Sequence, residues 1–156
     1  MKIAYKHLLS FLKENPSLEE ISGNLFQLGH EHEIVNNSIF DMELTPNRGD
    51  CFSLLGLARD LNAFYSLNDP LPLFEDDIEK LEIEFENLSE DFCPKICFLE
   101  IEIDSIPQIY NENLSSYFEK LEIKRNNFFT DVSNYISYEM GQPTHCFDKS
   151  KINKKL

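Results

Sequence analysis

The sequence predicts an α+β fold, and three observations carry that expectation. Apolar residues recur at helical spacing in four stretches, alternate with polar or acidic ones in three others, and are interrupted once by a proline- and acid-rich run, NDPLPLFEDD. The expected organisation is a mixed, largely helical N-terminal module over residues 1–68, a linker over 69–80 and a second α+β unit over 81–156. Taken in order, a first helix is expected from about Tyr5 to Lys13. The next is capped by Ser17, with Glu20 returning the bond in a capping box; Leu18, Ile21, Leu25 and Leu28 share its face before Gly29 stops it.

SIFDMELT then alternates Phe40, Met42 and Leu44 with Asp41 and Glu43, the period of a half-buried strand. Leu54, Leu57, Ala58, Leu61 and Tyr65 mark an amphipathic helix of about four turns. Beyond the linker, LEIEFE and FLEIEID alternate apolar with acidic residues and are expected as strands with one face in water. Leu114, Tyr117, Phe118 and Leu121 mark another helix. DVSNYISYEMG reads as the last one, capped by Asp131, with Val132, Tyr135, Ile136 and Met140 on its inner face and Gly141 as its stop.

Composition narrows the function classes. The chain carries 28 Asp and Glu against 14 Lys and Arg, for a formal charge of −14, so as a whole it repels phosphate backbones and DNA binding is not expected. No run approaches the roughly 20 apolar residues that span a bilayer, and neither a secretory nor a transit signal is visible, so a cytoplasmic location without membrane contact is expected. The four cysteines read as reduced, small buried thiols. Cys93 and Cys97 lack a second pair or a neighbouring His, and the two imidazoles of His30-Glu31-His32 lack a third ligand, so no metal site is expected.

Two polar concentrations remain. In LTPNRGDCF, Pro46 disfavours helix for Thr45, Gly49 permits a positive φ, and Asp50 is placed to cap the following helix. Arg48 is unexplained by turn chemistry: it could clamp a phosphate or carboxylate, or tie the turn to a neighbouring carboxylate, and the second is favoured in so acidic a chain. In SNYISYEMGQPTHCFD, Ser133, Asn134, Glu139 and His145 bring hydroxyl, amide, carboxyl and imidazole groups close in sequence. They are either structural or the lining of a polar pocket able to position a water.

ELTPNRGDCFSLLGLARDL (43–61), FCPK (92–95) and TDVSNYISYEMGQPTHCFD (130–148) resemble, in the same order, the N-terminal part of the β subunit of bacterial phenylalanyl-tRNA synthetase, as do MKIAYKHLLSFL and the spacing of Ile123, Lys124 and Asn127 ahead of Asp131. The resemblance implies an α2β2 heterotetramer that attaches phenylalanine to tRNA(Phe) with ATP and Mg²⁺, neither of which is expected to bind this chain itself. The aminoacylation site would lie in the α subunit.

It further implies that 81–156 is the incomplete start of an α+β editing domain of B3/B4 type, where mischarged tyrosyl-tRNA is hydrolysed. Ser133 stands at the family's usual Thr position in that pocket, beside Asn134, and His145 stands at the pocket histidine. Only residues 30–44 separate Gly29 from Thr45, where most members carry an OB-type tRNA-binding insertion. The chain is therefore expected to be an N-terminal fragment without that module, not catalytically competent alone, or else a non-catalytic remnant that binds a partner subunit or RNA.

Overall fold

A computed structural model describes residues 1–68 and 81–152, so the expected linker at 69–80 lies outside the described residues. The chain is α+β. Strand β1 (Lys2–Ala4) runs into helix α1 (Tyr5–Leu9), helix α2 (Leu18–Gln27) follows, and strands β2 (Glu31–Val35) and β3 (Ile39–Glu43) complete a three-stranded antiparallel sheet of order β1-β3-β2. A 3-10 turn (Pro46–Cys51) leads into α3 (Leu54–Leu61); α4 (Glu112–Leu121) and α5 (Phe128–Met140) follow, then a short 3-10 turn (Lys149–Lys151).

Local chemistry explains most of these boundaries. At α2 the Ser17 side chain accepts from the Glu20 N–H while the Glu20 carboxylate accepts from the Ser17 N–H, so two orphan donors are satisfied reciprocally. Strand β2 has no counterpart among the expected elements. It forms because Asn36 and Asn37 both adopt positive φ (51° and 50°), a conformation Asn tolerates, and so fold Glu31–Val35 back onto β3 with Ile34 opposite Phe40. Strand β1 pairs Ile3 with Phe40 and is too short to show a period.

Several expectations need correction. Helix α3 spans eight residues, about two turns, because Ser53 caps it by accepting from the Gly56 N–H; Asp50 lies in the preceding 3-10 turn and caps nothing. Gly49 does not use a positive φ. Helix α5 starts at Phe128, capped by Asn127, and Asp131 is instead fully buried, accepting from the Asn126 N–H (3.0 Å) and the Tyr110 hydroxyl (2.8 Å). Val132 and Tyr135 pack against the core as expected, but Asp131 and Tyr138 are the buried members of the inner face and Met140 is exposed. Cys93, Cys97 and Cys146 are exposed thiols, and only Cys51 is buried.

LEIEFE and FLEIEID form no strands among the described residues. Leu99, Ile101 and Ile103 of FLEIEID stand in solvent, and an alternating segment whose apolar side is left unpacked gains too little to offset its ordering.

One apolar cluster unites the two ends of the chain. Ile3, Leu8, Ile21, Leu25, Phe40, Leu54, Leu57 and Leu61 are buried together with Leu114, Tyr117, Phe118, Leu121 and Tyr138. The Tyr138 hydroxyl accepts from the Ala4 N–H (3.2 Å); with its own proton assigned to His7 Nδ1 (3.1 Å), Nε2–H is left to donate to Ser116 Oγ (2.8 Å). In that arrangement His7 is neutral. Burial, aided by the charge of Lys120, pushes the imidazole below its ordinary 6.5.

An unfolded His7 therefore takes up a proton more readily than the folded one, and stability declines as pH falls below about 6.5 and through the lower folded value. Urea midpoints of the wild type should drop between pH 7.5 and pH 5, and His7→Gln should remove that part of the slope.

Candidate functional site

The 3-10 turn after β3 presents a charge cluster against α3. Arg48 donates through Nε to Asp50 (3.1 Å) and through Nη2 to Asp60 (2.5 Å) and to the Cys51 sulfur (2.8 Å). Arg59 reaches Asp50 and Asp60 as well, and His30 Nε2 lies 2.9 Å from Asp60 Oδ2. Two guanidinium groups thus face two carboxylates, and the charges balance.

Arg48 and then Arg59 hold Asp50 well below the usual carboxylate range. Burial pushes Asp60 upward, but hydrogen bonds from Arg48, His30 and Arg59 outweigh it and leave the group at about 2. The Cys51 thiol is pushed up to about 12, first by burial and then by the Asp60 charge, and so stays protonated. This cluster gives Arg48 its partners: the neighbouring carboxylates rather than a free anion.

Close approach makes the cluster possible. A Cβ on Gly56 would stand 2.0 Å from the Asp50 carbonyl oxygen, so only glycine lets the turn lie on the first turn of α3. Sequence reasoning missed Gly56, His30, Cys51 and the two residues of α3, because the cluster draws them from separate elements. The helical spacing that sets Arg59 and Asp60 near the turn was the one available signal.

The second polar concentration lies along α5. Gly141 ends that helix at φ +75°, and its Cα lies so near Ser53 that an added Cβ would meet that side chain at 3.1 Å. The chain then doubles back on the helix. Ser137 Oγ donates to the Gln142 carbonyl (3.2 Å), Ser133 Oγ to the Thr144 carbonyl (2.5 Å), and the Cys146 thiol to the Phe129 carbonyl (3.6 Å). Two residues of extended chain advance about 6.5 Å and four residues of helix about 6 Å, so positions 142, 144 and 146 fall in step with 137, 133 and 129.

Alternation then turns His145 away from α5, where it is exposed and stacks on Phe147 with ring centres 4.7 Å apart. Asn134 is exposed on the helix. Ser133 and His145 thus sit on one supersecondary unit, with the Ser133 hydroxyl already bonded to Thr144. Open clefts of about 410 and 330 Å³ lie elsewhere, along Phe26, Gly29, Glu31, His32 and Glu43 and on to Pro46.

The stretch that contains α4, α5 and this returning segment has a recognisable class: residues 100–156 match the B3/4 domain. Over a longer span, the chain is 30% identical across 135 residues to the phenylalanine–tRNA ligase beta subunit of Legionella pneumophila (strain Lens), covering 81% of this chain and 16% of that relative. It is 31% identical across 128 residues to that of Acinetobacter baylyi (79% and 16%), and 28% identical across 155 residues to that of Dechloromonas aromatica (93% and 20%). The chain belongs to the phenylalanine–tRNA ligase beta-subunit family. It spans between about one sixth and one fifth of the length of these relatives.

Substituting Gly56 should be costly in a way that neighbouring positions are not. Gly56→Ala is expected to destabilise by about 3 kcal/mol, because a backbone carbonyl cannot rotate out of the way. Asp60→Asn should lower the urea midpoint by more than Asp50→Asn, since Asp60 is the less exposed (15% against 43%) and serves both arginines and His30. Chemical denaturation of the three variants checks the order.

Proposed function

We propose that this chain serves as part of a phenylalanine–tRNA ligase beta subunit, contributing to phenylalanyl-tRNA formation and to the pocket that hydrolyses mischarged tyrosyl-tRNA. The observation that carries the reading is the family match over 81% of this chain, with the B3/4 correspondence over the segment that holds Ser133, Asn134 and His145. In this reading the chain acts in the cytoplasm beside an alpha subunit, in an α2β2 assembly, and meets tRNA(Phe) through the whole enzyme. ATP and Mg²⁺ serve the aminoacylation site of the alpha subunit. Among the described residues, no helix is long and apolar enough to cross a membrane.

In the editing step a water attacks the tyrosyl ester. Asn134 and His145 orient that water and the tyrosyl phenol; a site built to hydrogen-bond a hydroxyl rejects the analogue that lacks it, so phenylalanine is spared. Ser133 supports this geometry by holding the segment that presents His145. Alone, the chain neither charges tRNA nor releases tyrosine efficiently. A second reading, a non-catalytic module that binds the partner subunit, is favoured by the Ser133 hydroxyl being occupied and by His145 standing in solvent.

A chimera separates the two. Residues 100–156 would replace the matching segment in the complete L. pneumophila beta subunit, assembled with its alpha subunit. His145→Ala in that chimera should slow tyrosine release from mischarged tRNA at least tenfold while phenylalanine attachment holds. Unchanged tyrosine release would favour the binding reading. Release of tyrosine by the isolated 156-residue chain above a His145→Ala control would contradict the claim that it is inactive alone.

A further inference from the structure

The charge cluster at the 3-10 turn contains a donor set that the family reading does not use. His30 Nε2, Cys51 Sγ and an Asp60 carboxylate oxygen come from three separate places: the end of α2, the 3-10 turn and the last turn of α3. All lie within 4.8 Å of one another. His30 and Cys51 are buried and Asp60 is nearly so. His30 Nε2 is 2.9 Å and Cys51 Sγ 3.5 Å from Asp60 Oδ2, while Asp50 Oδ2 lies 3.7 Å from the same sulfur.

Imidazole, thiol and carboxylate in one small volume is the donor chemistry of zinc. Tetrahedral bonds of ~2.0–2.3 Å set donors about 3.3–3.6 Å apart, so the two edges at Asp60 need shifts of a few tenths of an ångström, while the His30–Cys51 edge must close by about an ångström. A cation already sits among these atoms. Arg48 Nη2 is 2.8 Å from the sulfur and 2.5 Å from Asp60, so the guanidinium nitrogen lies in contact with two of the three donors. Arg48 is also the member that can leave: its side chain is one-third exposed and keeps Asp50 as an alternative partner.

We propose that His30, Cys51 and Asp60 form a zinc site that Arg48 closes in the metal-free protein, with a water as the fourth ligand. When zinc enters, Arg48 swings out, the Cys51 thiol releases its proton to solvent, and the metal's two charges replace that proton and the guanidinium within the cluster. Zinc would then tie α2, the turn and α3 together by coordination instead of by charge-assisted hydrogen bonds.

Cobalt(II) reports on such a site because thiolate coordination gives a near-ultraviolet charge-transfer band and tetrahedral geometry gives intense visible bands. The full chain carrying Cys93→Ser, Cys97→Ser and Cys146→Ser has Cys51 as its only thiol, and all three replaced residues are exposed. It should bind one cobalt with both signatures, and zinc should displace it. His30→Gln in that background should weaken cobalt binding at least tenfold, and Arg48→Gln should strengthen it at least tenfold by removing the competing cation.

Absence of the charge-transfer band at saturating cobalt overturns the proposal, whatever Arg48→Gln does. Equal affinity in His30→Gln overturns it too. Should that variant fail to fold by circular dichroism, X-ray absorption of the zinc-loaded triple-serine chain decides. One sulfur with three nitrogen or oxygen donors is expected, and a shell without sulfur refutes the site.

Discussion

The burial of Tyr138 is the constraint on which the rest of the molecule depends. A phenol placed in an apolar core gains from its ring only if its hydroxyl finds partners, and here both are supplied from the other end of the chain. Ala4 offers an N–H where β1 turns into α1, and His7 offers an acceptor one turn further on. To reach them, α5 must lie across α3, with α4 against β1. That arrangement also covers one edge of the sheet, whereas β2 forms the other.

From there the geometry propagates to both polar clusters. The Ser53 cap of α3 lies beneath Gly141, so the point where α5 ends is set by the point where α3 begins. One turn into α3, Gly56 receives the Asp50 carbonyl, which fixes the turn bearing Arg48 and Cys51. The arginine cluster and the segment that carries His145 are thus connected through the N-terminus of a single eight-residue helix. The two polar stretches, far apart in sequence, meet at the same helix start.

Much of this was legible where local chemistry decides. The Ser17–Glu20 box, the alternation of Phe40 and Met42, the apolar faces of α3 and α4 and the Gly141 stop all rest on neighbours within a few residues. The errors arise where distant partners outcompete local ones. Asp131 looks like a cap in sequence, yet Asn127 takes that role and Tyr110 claims the carboxylate. Asp50 likewise resembles a cap until two arginines engage it.

Strand β1 has three residues, too few for a period, and β2 hides its pattern behind His32, a polar residue that is buried and bonded to Ser22. LEIEFE and FLEIEID err in the other direction: period two states which face would be buried, but not that anything is present to bury it. Of the charge cluster, Arg48 and a carboxylate partner were foreseeable. His30 and Cys51 were not, because only the packed fold brings them beside Asp60.

The returning segment shows what a hydroxyl at position 133 is able to do. Ser133 has one proton, and in this arrangement it goes to the Thr144 carbonyl, while the Thr144 hydroxyl donates back to the Ser133 carbonyl at 3.3 Å. A hydroxyl so engaged cannot also donate to a substrate. Its effect is transmitted through register: by fixing Thr144 against the helix, it fixes the side on which His145 emerges. A threonine would hold the same bond through the same oxygen, with its χ1 more restricted. Serine here preserves the geometry with greater rotamer freedom, and position 133 fixes the side on which His145, the residue after Thr144, emerges.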